Sequence, residues 1–266
     1  MDMFRRLVLI AVMAGLVAGG LVTLAQHFGT GSIIARAEVY ERSAARAGQA
    51  AMPTPTTAGV AAHAAHDAVA RSHPATDTQE ASSAWEPDEG VERTLYTLLA
   101  NILTATAFSL LLTAAIELRG GIVDWRAGLF WGLAGFATFT LAPGLGLPPE
   151  LPGNAAAPVP ARQLWWALTA AATAGGLALL FLQRRPLRTL AGVMLLIVPQ
   201  LYGAPQPDEY LRAAPAGLEH EFVVVATTTS LAFWIVLGAL TGYLLSTWKR
   251  VPARAPDAFG LGSRQT

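Results

Sequence analysis

The chemistry this sequence can offer rests on its histidines and on the carboxylates beside them. There are five: His27, His63, His66, His73 and His220. His63 and His66 are three apart and are followed at once by Asp67; His220 stands between Glu219 and Glu221. Imidazole and carboxylate donors suit borderline divalent ions such as cobalt, nickel and zinc. Glu150 closes a Pro/Gly-rich segment, Ala142-Pro143-Gly144-Leu145-Gly146-Leu147-Pro148-Pro149-Glu150, in which backbone carbonyls and one carboxylate can hold a hydrated cation. The same segment also reads as a helix stop followed by a rigid turn. The candidate metal-binding residues are therefore His63, His66, Asp67, Glu150, His220 and Glu221. His27, beside Gln26, serves either as a further ligand or as a helix-end residue at an interface.

The sequence carries little signal for other chemistry. There is no Cys, so neither a disulfide nor a soft thiolate site forms. No GxxxxGK[ST] loop, H-E-x-x-H helix or G-x-S-x-G elbow occurs, so there is no motif for nucleotide binding, zinc proteolysis or serine hydrolysis. We expect no catalytic residues and no resident cofactor, with a divalent metal such as Co2+ as cargo. Lys+Arg and Asp+Glu are both 18, and this zero net charge argues against a nucleic-acid partner.

The elements that must position these residues follow from composition. Of the 266 residues 53% are hydrophobic and 14% charged, against about 25% charged in soluble domains. The apolar residues fall in blocks long enough for a hydrocarbon core of about 30 Å. We read six spans, near 7–26, 94–117, 126–142, 162–182, 187–203 and 222–246, with no Asp, Glu, Lys or Arg in the middle of any. The fold class is an all-α integral membrane protein. Residues 1–37 form the first transmembrane helix, 38–92 an extracytoplasmic loop, 93–248 a five-helix bundle and 249–266 a cytoplasmic tail. An alternative for 1–37 is a signal peptide ending at Ala35-Arg36-Ala37, but the apolar run exceeds the usual h-region of about 7 to 15 residues.

Arg5, Arg6, Arg119, Arg126, Arg184, Arg185, Arg188, Lys249, Arg250, Arg254 and Arg264 fall on one side of these spans, which places both termini in the cytoplasm by the positive-inside rule. All five histidines and most acids then lie outside. The loop's middle, about 43–84, is rich in Ala, Thr, Ser, Pro and Gln and is expected to be disordered. Its end, Trp85 to Arg93, carries four acids and a Trp and is expected to dock on the bundle.

Residues 93–111 and 162–180 share seven identities at an offset of 69, and both following spans end in Pro/Gly segments. This suggests a parallel repeat of two helical hairpins, 93–150 and 162–209, with a pathway at their interface; convergent composition is the alternative. Pro143 and Pro199 each free a carbonyl one turn back, which must find another donor or line a polar cavity. Ala11, Gly15 and Gly19, then Gly128 and Gly132, then Gly238 and Gly242 have the four-residue spacing of tight helix contacts. Thr227, Thr228 and Thr229 either line a polar path or bond back to their own helix.

Several segments together resemble the bacterial cobalt transporter subunit family CbtA. They are Met3-Phe4-Arg5-Arg6, Ala37-Glu38-Val39-Tyr40-Glu41, Trp85-Glu86-Pro87, Gly128 to Phe136, Leu141-Ala142-Pro143, Gly146 to Gly153, Arg162-Gln163-Leu164-Trp165-Trp166 and Gly203-Ala204-Pro205. The likeness runs over about 3–248. It implies a multi-pass protein of the bacterial cytoplasmic (inner) membrane, cobalt acquisition for cobalamin synthesis, and a small one-span CbtB-like partner. One departure stands out: relatives often carry His where Gln200 follows Pro199, and their loop is often richer in His.

The expected function is thus the membrane subunit of a divalent-metal, foremost cobalt, uptake transporter embedded in the lipid bilayer, binding no nucleotide. Glu150 would be the entry carboxylate, His220 and Glu221 a flanking site, and the loop histidines a collector. A non-transporting scaffold or assembly subunit is the alternative. An intramembrane enzyme acting on a lipid or corrinoid, with Glu150 and Arg162 near Trp165 and Trp166, is a further one.

Overall fold

A computed structural model describes residues 2–51, 90–121, 124–182, 185–207 and 212–249. His63, His66, Asp67, His73 and the Trp85–Glu89 segment lie outside the described residues, as does nearly all of the tail. The described chain is helical without strands. In order come α1 (Asp2–Phe28), α2 (Thr30–Ala51), α3 (Val91–Leu118), α4 (Trp125–Phe136), a π-helical turn (Ala137–Leu141), α5 (Ala142–Gly146), α6 (Val159–Leu182), α7 (Pro186–Tyr202) and α8 (Ala216–Lys249).

Five helical stretches are long and apolar enough to cross a membrane: Met3–Phe28, Val91–Leu118, Trp125–Gly146, Val159–Phe181 and Ala216–Trp248. The sixth expected span, Pro186–Tyr202, has 17 residues and rises about 26 Å at about 1.5 Å per residue, slightly under the hydrocarbon thickness. The protein is a multi-pass helical membrane protein. Its burial pattern inverts that of a soluble bundle. Leu103, Phe130 and Phe181 are more than half exposed, where lipid meets them, while Ser109, Thr113, Thr169 and Thr241 are buried.

Local chemistry sets the helix ends. Asp124 caps α4 by accepting the Ala127 N–H at 2.9 Å. Gly121, at φ 77°, lets the chain leave α3 while its N–H bonds the Ile116 carbonyl at 2.8 Å. Gly29 alone separates α1 from α2. Helix therefore covers 38–51, which the sequence reading gave to the loop, and 43–51, which it expected to be disordered. The Ala-rich run from Ala44 explains this, since Ala is the best helix former. Residues 41–44 and 46 of this stretch are exposed, in keeping with the scarcity of large apolar side chains that suggested disorder.

Three clusters run along the bundle axis. Ile10, Ile116 and Leu245, with Leu7 and Trp248 against them, pack the proximal end, where α1 begins and α8 finishes. Ala14, Ala18, Ala105, Leu112, Phe136, Trp234 and Leu237 fill the middle. The Trp234 ring stacks on Phe139 with centroids 5.7 Å apart. Ile33, Ala37, Leu151, Ala214, Leu218 and Phe222 close the distal end.

The expected glycine pairs meet. Gly128 and Gly132 of α4 lie directly against Gly238 and Gly242 of α8. Gly15 and Gly19 of α1 lie against Thr106 and Ile102 of α3, and Gly176 of α6 against Gly192 of α7. These contacts also decide how the two similar segments pack. α6 and α7 form a close hairpin, whereas α3 and α4 touch little, because α1 takes α3 and α8 takes α4. The segments share direction but not partners.

Both prolines are taken up within helical segments. Before Pro143 the helix widens into the π-turn, with the Ala142 N–H reaching back to Ala137. Pro199 stays inside α7, which runs one more turn and ends at Gly203 (φ 84°). The Gln200 side-chain amide donates to the Ala142 carbonyl at 2.9 Å, so the segment beside Pro199 satisfies a backbone acceptor beside Pro143.

Candidate functional site

A cleft of about 930 Å3 opens at the distal end among α1, α2, α3 and α8. It exists because α1 grips α3 and also touches α8, while α3 and α8 meet only lightly. One wall is the stripe Thr94, Thr97, Asn101 and Thr104 of α3, whose three- and four-residue spacing puts it on one helical face. Facing it are Thr23 and Gln26 of α1 and Thr229 and Ser230 of α8, with Phe222 and Phe233 as the apolar part.

Asn101 organises the cleft wall. Its Nδ2 donates to Thr23 Oγ1 at 3.0 Å and to Gln26 Oε1 at 2.7 Å. Thr23 Oγ1 in turn donates to the Gly19 carbonyl at 2.8 Å. Deeper in the bundle, Ser109 and Thr241 share a hydrogen bond at 3.1 Å, as do Thr140 and Ser230 at 3.0 Å. Polar side chains at this depth are costly against lipid and mark a wetted or packed polar path. Of the threonine run, Thr229 lines the cleft and Thr228 bonds back to the Val224 carbonyl at 2.8 Å.

Charged groups ring the mouth. Glu38 holds Arg42 at 3.1 Å and Arg93 at 3.4 Å. His27 lines the cleft and is exposed, its ring edge-on to Phe28. His220 and Glu221 precede Phe222 at the start of α8 but do not line the cleft, and Glu221 is paired with Arg36 of α2 at 2.8 Å. Glu150 lies apart, on the loop between α5 and α6, paired with Arg162 at 3.2 Å. Between these places, Glu219 meets Arg212 at 3.7 Å and the Asn154 amide at 3.4 Å, and Asn154 Oδ1 accepts the Ala213 N–H.

The structure thus brings Glu150, His220 and Glu221 to one end of the bundle but not to one point. Among the described residues no three of His, Asp and Glu gather closely enough to hold a metal ion. Glu150 and Glu221 each face an arginine, so a dication binding there has to displace a guanidinium. Asn101 and the cleft it organises were missed by reasoning that followed titratable side chains. The available signal was an amide inside an otherwise apolar run, in phase with three threonines.

The fold and cleft together define a multi-pass helical membrane bundle with a polar cleft open at one end. The chain matches the family model described as "Probable cobalt transporter subunit (CbtA)" over residues 4–246, and so belongs to that family. No curated protein and no solved structure matches the chain.

Proposed function

We propose that the protein is the membrane subunit of a divalent-metal uptake system, with cobalt as the cargo that supplies cobalamin synthesis. We place it in the bacterial cytoplasmic membrane, distal end toward the periplasm, working with a small one-span CbtB-like protein. The observation that carries the reading is the cleft. It is polar along the α3 stripe and on the side where the sequence puts every histidine. Membership of a family described as a probable cobalt transporter subunit supports a transport role over an enzymatic one.

In this reading His63, His66 and Asp67 collect the ion outside. His220 and Glu221 stand at the same end of the bundle as the cleft mouth, and Glu150 supplies a second carboxylate there. Inside the charged mouth, the Thr, Asn, Gln and Ser groups of the cleft wall offer neutral oxygen and nitrogen, which suits an ion that keeps part of its hydration shell. Inward movement of a dication down about 100 mV releases roughly 4.6 kcal/mol, from about 2.3 kcal/mol per charge. No cofactor is required.

The test is radioactive cobalt uptake in cells expressing the chain with its small partner. Uptake should fall several-fold in Glu150→Ala with His220→Ala, and again in Asn101→Leu. Parental uptake in all of these overturns the site assignment. The absence of a three-ligand cluster among the described residues favours a second reading, a scaffold or assembly subunit that moves no metal. Proteoliposomes holding both proteins separate the two: cobalt entry supports the transporter, and none supports the scaffold.

A further inference from the structure

Across the molecule from the cleft, the α6–α7 hairpin joins the rest of the bundle through a small contact. α6 packs on the π-turn and α5, and α7 on α5, without substantial contact to α4. The helix-to-helix part of the joint is therefore confined to residues 137–146, with the Arg162–Glu150 pair beside it.

Two hydrogen-bond donors are buried along the face of α6 that brings Trp165 onto the joint. Trp165 is 7% exposed and Thr169, one turn further along the same face of α6, is 1% exposed. Trp165 Nε1 and Thr169 Oγ1 meet no hydrogen-bond partner among the described residues. The Trp165 ring lies on Gly146 of α5, where an added methyl would stand 2.8 Å from Cζ2, the ring carbon next to the one that bears Nε1. Since α6 runs antiparallel to α4 and α5, Thr169 falls one turn nearer the π-turn. Pro143 has no N–H to give the carbonyl four residues back, so acceptors are available at that level. The Ala142 carbonyl already takes the Gln200 amide at 2.9 Å.

An indole N–H only donates, and a hydroxyl can donate or accept. A cation is therefore the wrong ligand for this pair. A small neutral oxygen is the right one, and burial excludes a lipid carbonyl. Leaving such donors unmet in a bundle surrounded by hydrocarbon is costly. We propose that the joint holds bound water, which accepts from Trp165 Nε1–H and Thr169 Oγ1–H and donates to carbonyls freed at the Pro143 turn. The hairpin is then attached through a hydrated seam.

Isosteric replacements test this by the sign of their effect. Thr169→Val removes the hydroxyl and keeps the shape; β-(3-benzothienyl)alanine at position 165 removes only the N–H. If water is bound, each lowers the melting temperature of the purified full chain by roughly 2–4 °C, because the water loses a partner. Thr169→Ser, which keeps the hydroxyl, stays within about 1 °C of the parent. If the donors are orphans, apolar isosteres are neutral or stabilising. An unchanged or raised melting temperature in either replacement, or a fall in Thr169→Ser equal to that in Thr169→Val, overturns the proposal.

Discussion

Gly238→Ala places one methyl in the α4–α8 seam, where the outcome follows from distances. The added carbon would lie 2.6 Å from Gly132 Cα and 2.7 Å from the Gly128 carbonyl oxygen. Carbon atoms settle at about 3.5–4.0 Å, so the helices must part by about 1 Å. Both obstacles are backbone, and no side chain can rotate out of the way. Overpacking of this kind costs about 1–3 kcal/mol, partly offset by the gain of about 0.5–1 kcal/mol from replacing a helical glycine. The net cost is up to about 2.5 kcal/mol, so with about 2–4 °C per kcal/mol for a chain near this size the melting temperature should fall by a few degrees, up to roughly 10 °C, in a thermal unfolding assay of the detergent-purified protein. Gly20→Ala is the control, since nothing lies within 4 Å of the methyl it adds, and it should match or exceed the parent. Equal behaviour of the two variants would refute the close α4–α8 seam.

Three further outcomes are expected. Asn101→Leu removes the donor to Thr23 and Gln26 and should cost about 0.5–2 kcal/mol, read as a lower melting temperature together with reduced cobalt uptake. Arg36→Ala breaks a pair whose side chains are 53% and 47% exposed, so stability should change by less than about 1 kcal/mol while uptake changes through the released Glu221; a large stability loss would show the pair to be structural. Because the chain has no Cys, a single His220→Cys reports topology directly. An impermeant maleimide should label it in intact cells, and Arg5→Cys only after permeabilisation; the reverse pattern inverts the bundle.

Much of this architecture was legible in the sequence because lipid imposes simple demands. An apolar run of sufficient length must become a helix, since no water is present to satisfy its backbone. That constraint fixed the helical class and the approximate spans without knowledge of any contact. The glycine spacing also carried over: Gly128, Gly132, Gly238 and Gly242 were identifiable as close-contact positions from their period alone. The similarity between 93–111 and 162–180 was less informative. It described two chains of like composition, while the partners of α3 and α4 were settled by competition with α1 and α8.

The sequence by itself determined that the chain is a membrane bundle and which residues can approach helix to helix, because both depend on residue type and local period. Only the tertiary structure decided where polarity converges. Asn101, Thr23 and Gln26 come from helices far apart in sequence and form one wall through hydrogen bonds. Arg36 sits on Glu221, which no local pattern suggests, whereas the Arg162–Glu150 pair joins two residues the sequence had already set near each other. Hydrogen bonds and ion pairs act over a few ångströms of space, and the distance between two residues in space is set by how the helices pack, which no local pattern records.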